Sequence, residues 1–196
     1  LTPLKFYHEY FDTNLSDYVV VTNAPDHEMD RSYLMPAQDS VVDGLPIKFV
    51  NVPFAELQEG AIKQLQAGET VWVGNDVLQQ MDRKRGLMDA KLYHREELLD
   101  VDFVMDKKHR LETKQAVVSH AMTLTGFDMV NDQPTRWKIE NSWGKDNGDN
   151  GYFVMTQDWF EEYTYEAVIN KKYLSDRVKK VADSEPVTLP AWDSLQ

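Results

Sequence analysis

Apolar positions recur at every second residue over three stretches late in the chain, and this alternation is its strongest structural signal. "AVVSHAMTLTGFDMV", "TRWKIENSW" and "GYFVMT" read as successive strands of an antiparallel meander, with turns at Asn131-Asp132 and across Gly148 to Gly151. Two earlier windows switch to helical spacing. From Thr2 to about Phe11 the pattern is amphipathic, with Thr2 as N-cap and Pro3 at the first helical position. In "PFAELQEGAIKQLQAGE", Leu57, Ala61 and Leu65 form one stripe and Gly68 supplies the stop. "DYVVVTNAP", "PIKFVNV" and "TVWVGNDV" are strand-like, the first closed by Pro25 and the third broken at Gly74-Asn75.

Residues 23–45 are rich in Asn, Asp, Pro and Ser and read as a long surface loop. The charge-dense run from Leu78 to Thr113 reads as solvated helical or irregular surface. After the meander come a short helix in "TQDWFEEY", a strand in "YEAVIN", a helix in "LSDRVKKVAD" and a Pro-punctuated tail. Helices weighted to the front and strands to the back make the expected fold class α+β. No internal repeat or low-complexity tract is present.

With 196 residues, 42% of them hydrophobic and 28% charged, the chain can bury a core without staples. It has no apolar run near the 18 residues that would mark a membrane span. The N-terminal stretch lacks the marks of a signal peptide, so the expected location is the cytoplasm. A net charge of -12 speaks against non-specific nucleic-acid binding, which relies on Lys and Arg. The absence of cysteine excludes disulfides, thiolate metal sites and a thiolate nucleophile carried by these residues. Leu1 stands directly before a helix start, and the expectation is a piece of something longer.

The candidate chemistry centres on His120, which alternation places with Val118, Met122 and Leu124. A lone His on an apolar face is more often a satisfied core residue than a catalyst. Asn141 follows 21 positions later at the end of the next strand, where a hairpin brings it beside His120. An Asn oxygen can accept the imidazole N–H and fix the ring without adding a charge, and Trp143 can cover that bond. Taken alone, Asn-Ser-Trp-Gly also reads as a turn. His8, His27, His94 and His109 sit among polar neighbours and read as surface histidines, with no metal-ligand spacing. Adjacent acidic pairs such as Glu96-Glu97 face different directions, and the single glycine of "VGND" cannot cradle a phosphate.

In combination these blocks carry more. "SHAMTLTGF" followed by "WKIENSWGKDNGDNGYFVMT" resembles the His and Asn blocks of papain-like cysteine peptidases. With "TPLKFYHEY", "VWVGNDV", "WFEEYTYEAVI" and "EPVTLPAWD", the chain is similar along its length to the bleomycin hydrolase and aminopeptidase C branch. The resemblance implies the right-hand, β-barrel-like half of the papain fold with added helices. It implies a mixed segment at 1–113 continuous with a β-rich His/Asn half-domain at 114–185, and a C-terminal arm at 186–196. His120 would be the general base, Asn141 its orienter and Trp143 its apolar lid, with Ser119 and Gln196 as substrate-binding positions. The nucleophilic Cys would lie in a missing N-terminal half. Peptide substrates, no cofactor and a hexameric homo-oligomer follow from the same resemblance. Relatives of the branch continue past the Pro-Ala-Trp-Asp block, and a shorter arm ending at Gln196 implies a tendency toward internal peptide bonds. The competing readings are a catalytically inactive interaction domain using residues 78–113, and a nucleic-acid role that the net charge of -12 disfavours.

Overall fold

The computed structural model describes residues 1–11, 13–103 and 105–195. α1 (Pro3–Tyr10) opens the chain, its first turn capped by the Thr2 hydroxyl, which accepts from Lys5 N–H. Three strands follow, β1 (Tyr18–Thr22), β2 (Arg31–Leu34) and β3 (Lys48–Asn51), and then α2 (Phe54–Gln66) and β4 (Val71–Asn75). A small hairpin of β5 (Met81–Asp82) and β6 (Leu87–Met88) leads to α3 (Arg95–Leu99) and α4 (Lys107–Glu112). The meander is β7 (His120–Val130), β8 (Gln133–Glu140) and β9 (Tyr152–Thr156). α5 (Gln157–Tyr163), β10 (Thr164–Asn170), α6 (Asp176–Ala182) and β11 (Val187–Thr188) complete the order.

Among the described residues all eleven strands join one sheet, ordered β11-β2-β3-β1-β10-β4-β7-β8-β9-β6-β5. The fold class is therefore α+β, with a large mixed sheet and several helices. The β7–β8 turn has positive φ at both Asn131 (51°) and Asp132 (61°), the mirror-image turn whose twist matches a tight hairpin. Leu57 and Ala61 of α2, Val178 of α6, and Trp159 and Phe160 of α5 bury against Val73, Leu124, Trp137, Ile139 and Phe153. A second cluster gathers Tyr33, Met35, Phe49, Leu111, Ala116, Tyr165 and Leu195.

Five expectations change. The strands are not weighted to the back of the chain, since β1 and β4 of its first half flank β10 near the centre of the sheet. The region 23–45 is not all loop, because β2 pairs with β3 and β11, and Ser32 buries its hydroxyl against Ser184 O at 3.2 Å. β7 begins at His120, not at Ala116, because Ala116 and Val118 turn toward the second cluster. The charged run 78–113 is not uniformly solvated either, since Lys107 and Arg110 are buried. Lys107 Nζ donates to Asn23 Oδ1 (2.9 Å), Glu161 O (2.8 Å) and Thr164 O (2.6 Å), and burial pulls its ammonium down to about 7.

His27 is also not a surface histidine. Its ring lies between two carboxylates, Nδ1 at 3.0 Å from Asp26 and Nε2 at 3.1 Å from Asp193, with Tyr33 edge-on at 5.3 Å. Ser194 donates to Asp26, and Leu195 O accepts from Gln38 Nε2 at 2.9 Å, so the tail is bonded to the body of the domain. Asp26 and Asp193 outweigh desolvation and raise the His27 pKa. A raised folded pKa gives stability that is full below the unfolded value of about 6.5 and is lost as pH rises through the folded value. Amides of residues 191–195 therefore exchange more slowly, relative to their intrinsic rates, at pH 6 than at pH 8.5. His27→Gln removes that difference; an unchanged difference in the variant contradicts the assignment.

Candidate active site

The β7–β8 hairpin decides where the site forms. Thr123 pairs with Glu140 across the hairpin, so the start of β7 and the residue following β8 share one end of the sheet. His120 Nε2 there lies 2.9 Å from Asn141 Oδ1. The same oxygen accepts the Ser142 backbone N–H at 2.8 Å. That second bond assigns the amide, because an NH₂ in its place would face another donor. An oxygen only accepts, so Nε2 carries the proton and the lone pair of the neutral imidazole sits on Nδ1.

Neighbouring strands hold both partners. Asn141 is 8% exposed, and its N–H donates to Gly151 O at 3.0 Å, closing the knot on itself. On the other side His120 pairs with Asn75 of β4, whose carbonyl accepts Ser119 N–H at 3.0 Å. Asn75 is fully buried, and its Oδ1 takes the Thr164 hydroxyl at 2.6 Å. The start of β7 is thereby tied to β4 and β10. Trp143 stacks on the imidazole, with ring centres 5.0 Å apart and 29° between planes, and meets the edge of Phe153 at 5.9 Å.

His120, Asn141 and Trp143 thus converge. Ser119 is adjacent but exposed, and its hydroxyl points at Asn75 O across 3.4 Å. Gln196 lies outside the described residues. Among the described residues no three His, Asp or Glu side chains gather as a metal site. No helix of the described chain is long and apolar enough to cross a membrane.

Two features carried no recognised signal in the sequence. Arg83, in the β5–β6 turn, reaches the Trp143 ring with its guanidinium carbon 4.6 Å from the ring centre. Glu166 in β10 lies opposite Gly74, where a Cβ would meet Glu166 Oε2 at 3.1 Å and Val118 at 2.8 Å. Burial pushes the Glu166 carboxyl up to about 7. A charged residue interrupting an otherwise apolar strand was the available sign for Glu166. For Arg83 only the tight turn "DRKRG" hinted at order.

Residues 1–196 match the Peptidase C1-like family. The chain is 52% identical to aminopeptidase G of Lactobacillus delbrueckii subsp. lactis and 52% identical to aminopeptidase E of Lactobacillus helveticus, covering 100% of its own length and 45% of each. The crystal structure of PepW from Lactobacillus rhamnosis HN001 superposes with a TM-score of 0.95 at 40% identity, over 100% of this chain and 45% of that one. The chain spans about half the length of the relatives it matches.

Proposed function

Because the chain belongs to the Peptidase C1-like family, we propose that it forms the base-bearing part of a cysteine peptidase that cleaves peptide bonds with His120 as general base and Asn141 as its orienter. The observation that carries this reading is the 2.9 Å contact from His120 Nε2 to Asn141 Oδ1 beneath Trp143. With Nε2–H held by Asn141, Nδ1 is the nitrogen free to take a proton.

The chain has no cysteine, so the nucleophile comes from residues outside it. His120 Nδ1 takes the thiol proton, and the thiolate adds to the substrate carbonyl. As the C–N bond breaks, the imidazolium returns that proton to the leaving amine and a thioester remains. Water, deprotonated by Nδ1, then releases the acid and the free thiol. Asn141 supports this cycle without becoming charged, and Trp143 keeps water off the bond that orients the ring.

The proposal includes cleavage of internal bonds besides removal of N-terminal residues, which is what the relatives' names describe. Its support is the tail, bonded to the body as far as Leu195 through His27, Asp26 and Gln38. A hexameric homo-oligomer belongs to the same reading, supported by the exposed apolar run of Leu98, Leu99, Val101 and Phe103.

The test uses the full protein that carries this chain, with one fluorogenic peptide bearing a free amino end and the same peptide blocked. Both are expected to be cleaved, and a thiol alkylating agent stops both. Cleavage that survives alkylation overturns the cysteine mechanism. Cleavage of the free-amine peptide alone overturns the internal-bond part.

A further inference from the structure

We propose that Arg83 is a positioning residue for His120, acting through Trp143 and Asn147; the proposal rests on the peptidase reading above. The Arg83 guanidinium lies 4.6 Å from the centre of the indole that stacks on His120. Its Nε donates to Asn147 Oδ1 at 2.6 Å, and Asn147 Nδ2 donates to Trp143 O at 2.6 Å. One side chain therefore touches the indole directly and also grips its backbone through a single intermediary.

The turn that presents Arg83 is seated by main-chain contacts. Gly148 N–H donates to Arg83 O at 3.2 Å, and Val154 N–H donates to Gly86 O at 2.8 Å. Gly148 has φ of 59°, and a Cβ on it would stand 2.3 Å from Tyr152 O. Its Cα lies 2.7 Å from where a Gly86 Cβ would be, so the turn and the loop that follows Asn-Ser-Trp-Gly meet backbone to backbone. Replacing the Arg83 side chain leaves that seat in place.

Arginine suits the position for a physical reason. A planar guanidinium stacks on an indole and still offers an in-plane Nε–H to Asn147, whereas an ammonium covers the ring as a point charge without that second bond. Without the clamp the indole gains freedom to leave the imidazole, and water reaches the His120–Asn141 bond. A ring that spends less time with Nε2–H on Asn141 spends less time with Nδ1 aimed at the thiol. Such a loss falls on kcat and leaves substrate binding largely unchanged.

The experiment compares wild type, Arg83→Gln and Arg83→Lys in the full protein. It measures kcat and KM, and the solvent exchange of the His120 Nε2–H by proton NMR with ¹⁵N-labelled histidine. Arg83→Gln is expected to lower kcat by about tenfold with KM within about twofold, and to speed Nε2–H exchange severalfold. Arg83→Lys is expected to fall between the two in both readouts. Unchanged exchange and a kcat within about twofold of wild type in Arg83→Gln overturn the proposal. Should Arg83→Gln fail to fold, Arg83→Lys decides by the same two readouts. Should wild type show no cysteine-dependent cleavage, the peptidase reading fails by itself, and exchange alone decides whether Arg83 holds His120.

Discussion

In the full protein, His120→Gln lowers kcat/KM for a cleaved peptide by at least about a thousandfold, while the variant's unfolding midpoint stays close to that of wild type. Glutamine keeps a polar tip near Asn141 but offers no group that titrates to accept the thiol proton. His120 sits at the start of β7, only partly buried, and the strand is held by Asn75 and β8, so removing the ring leaves the fold intact. In the proposed cycle Asn141 and Trp143 only orient and shield the ring, so their loss would leave a base of the same kind in a poorer position. Steady-state kinetics with circular dichroism on the same sample checks this. A loss below tenfold means that His120 is not the base of the cleavage.

The second large effect falls on stability. Lys107→Met destabilises the full protein by about 3–5 kcal/mol, read from the shift in denaturant midpoint. Methionine keeps an apolar chain of similar length beside Phe54 and Tyr165, over whose rings the ammonium lies, but donates nothing. Three acceptors, Asn23 Oδ1, Glu161 O and Thr164 O, then lose their partner inside the protein. A buried ion is not by itself evidence of stability, and exchanging a whole polar cluster for apolar groups can be neutral. Here only one member changes, and the orphaned oxygens bear the penalty. A shift smaller than about 1 kcal/mol contradicts the clamp. Arg110 does similar work beside it, donating to Glu162 O at 2.7 Å and Met105 O, and ties α4 to the end of α5.

Local periodicity made the meander readable. β7, β8 and β9 alternate over enough residues to reveal their pairing, and Asn131-Asp132 is chemistry suited to a tight turn. The short helix read in "TQDWFEEY" is α5, and the Thr156 hydroxyl caps it by accepting from Trp159 N–H. His120 and Asn141 lie 21 residues apart across one hairpin, close enough for spacing to suggest their contact.

What escaped depends on partners far away in the chain. β2 is four residues long, and its buried Ser32 is satisfied by Ser184, 152 positions later. His27 meets Asp193 at a separation of 166, and Arg83 meets Asn147 at 64. Lys107 and Arg110 sit in a run of charges whose other members stand at the surface, and nothing within that run distinguishes the two turned inward. Composition describes a residue's neighbours along the chain, whereas burial is set by neighbours across the sheet.

In the proposed cycle His120, held by Asn141, draws a proton from a cysteine supplied by the rest of the protein. The most direct measurement is the alkylation rate of that cysteine as a function of pH, in wild type and in His120→Gln. Rapid alkylation of wild type is expected well below the ordinary thiol value of about 8.5, with the variant's profile shifted up toward it. Coincident profiles for the two proteins would overturn the role of His120, because the thiolate would then owe nothing to it.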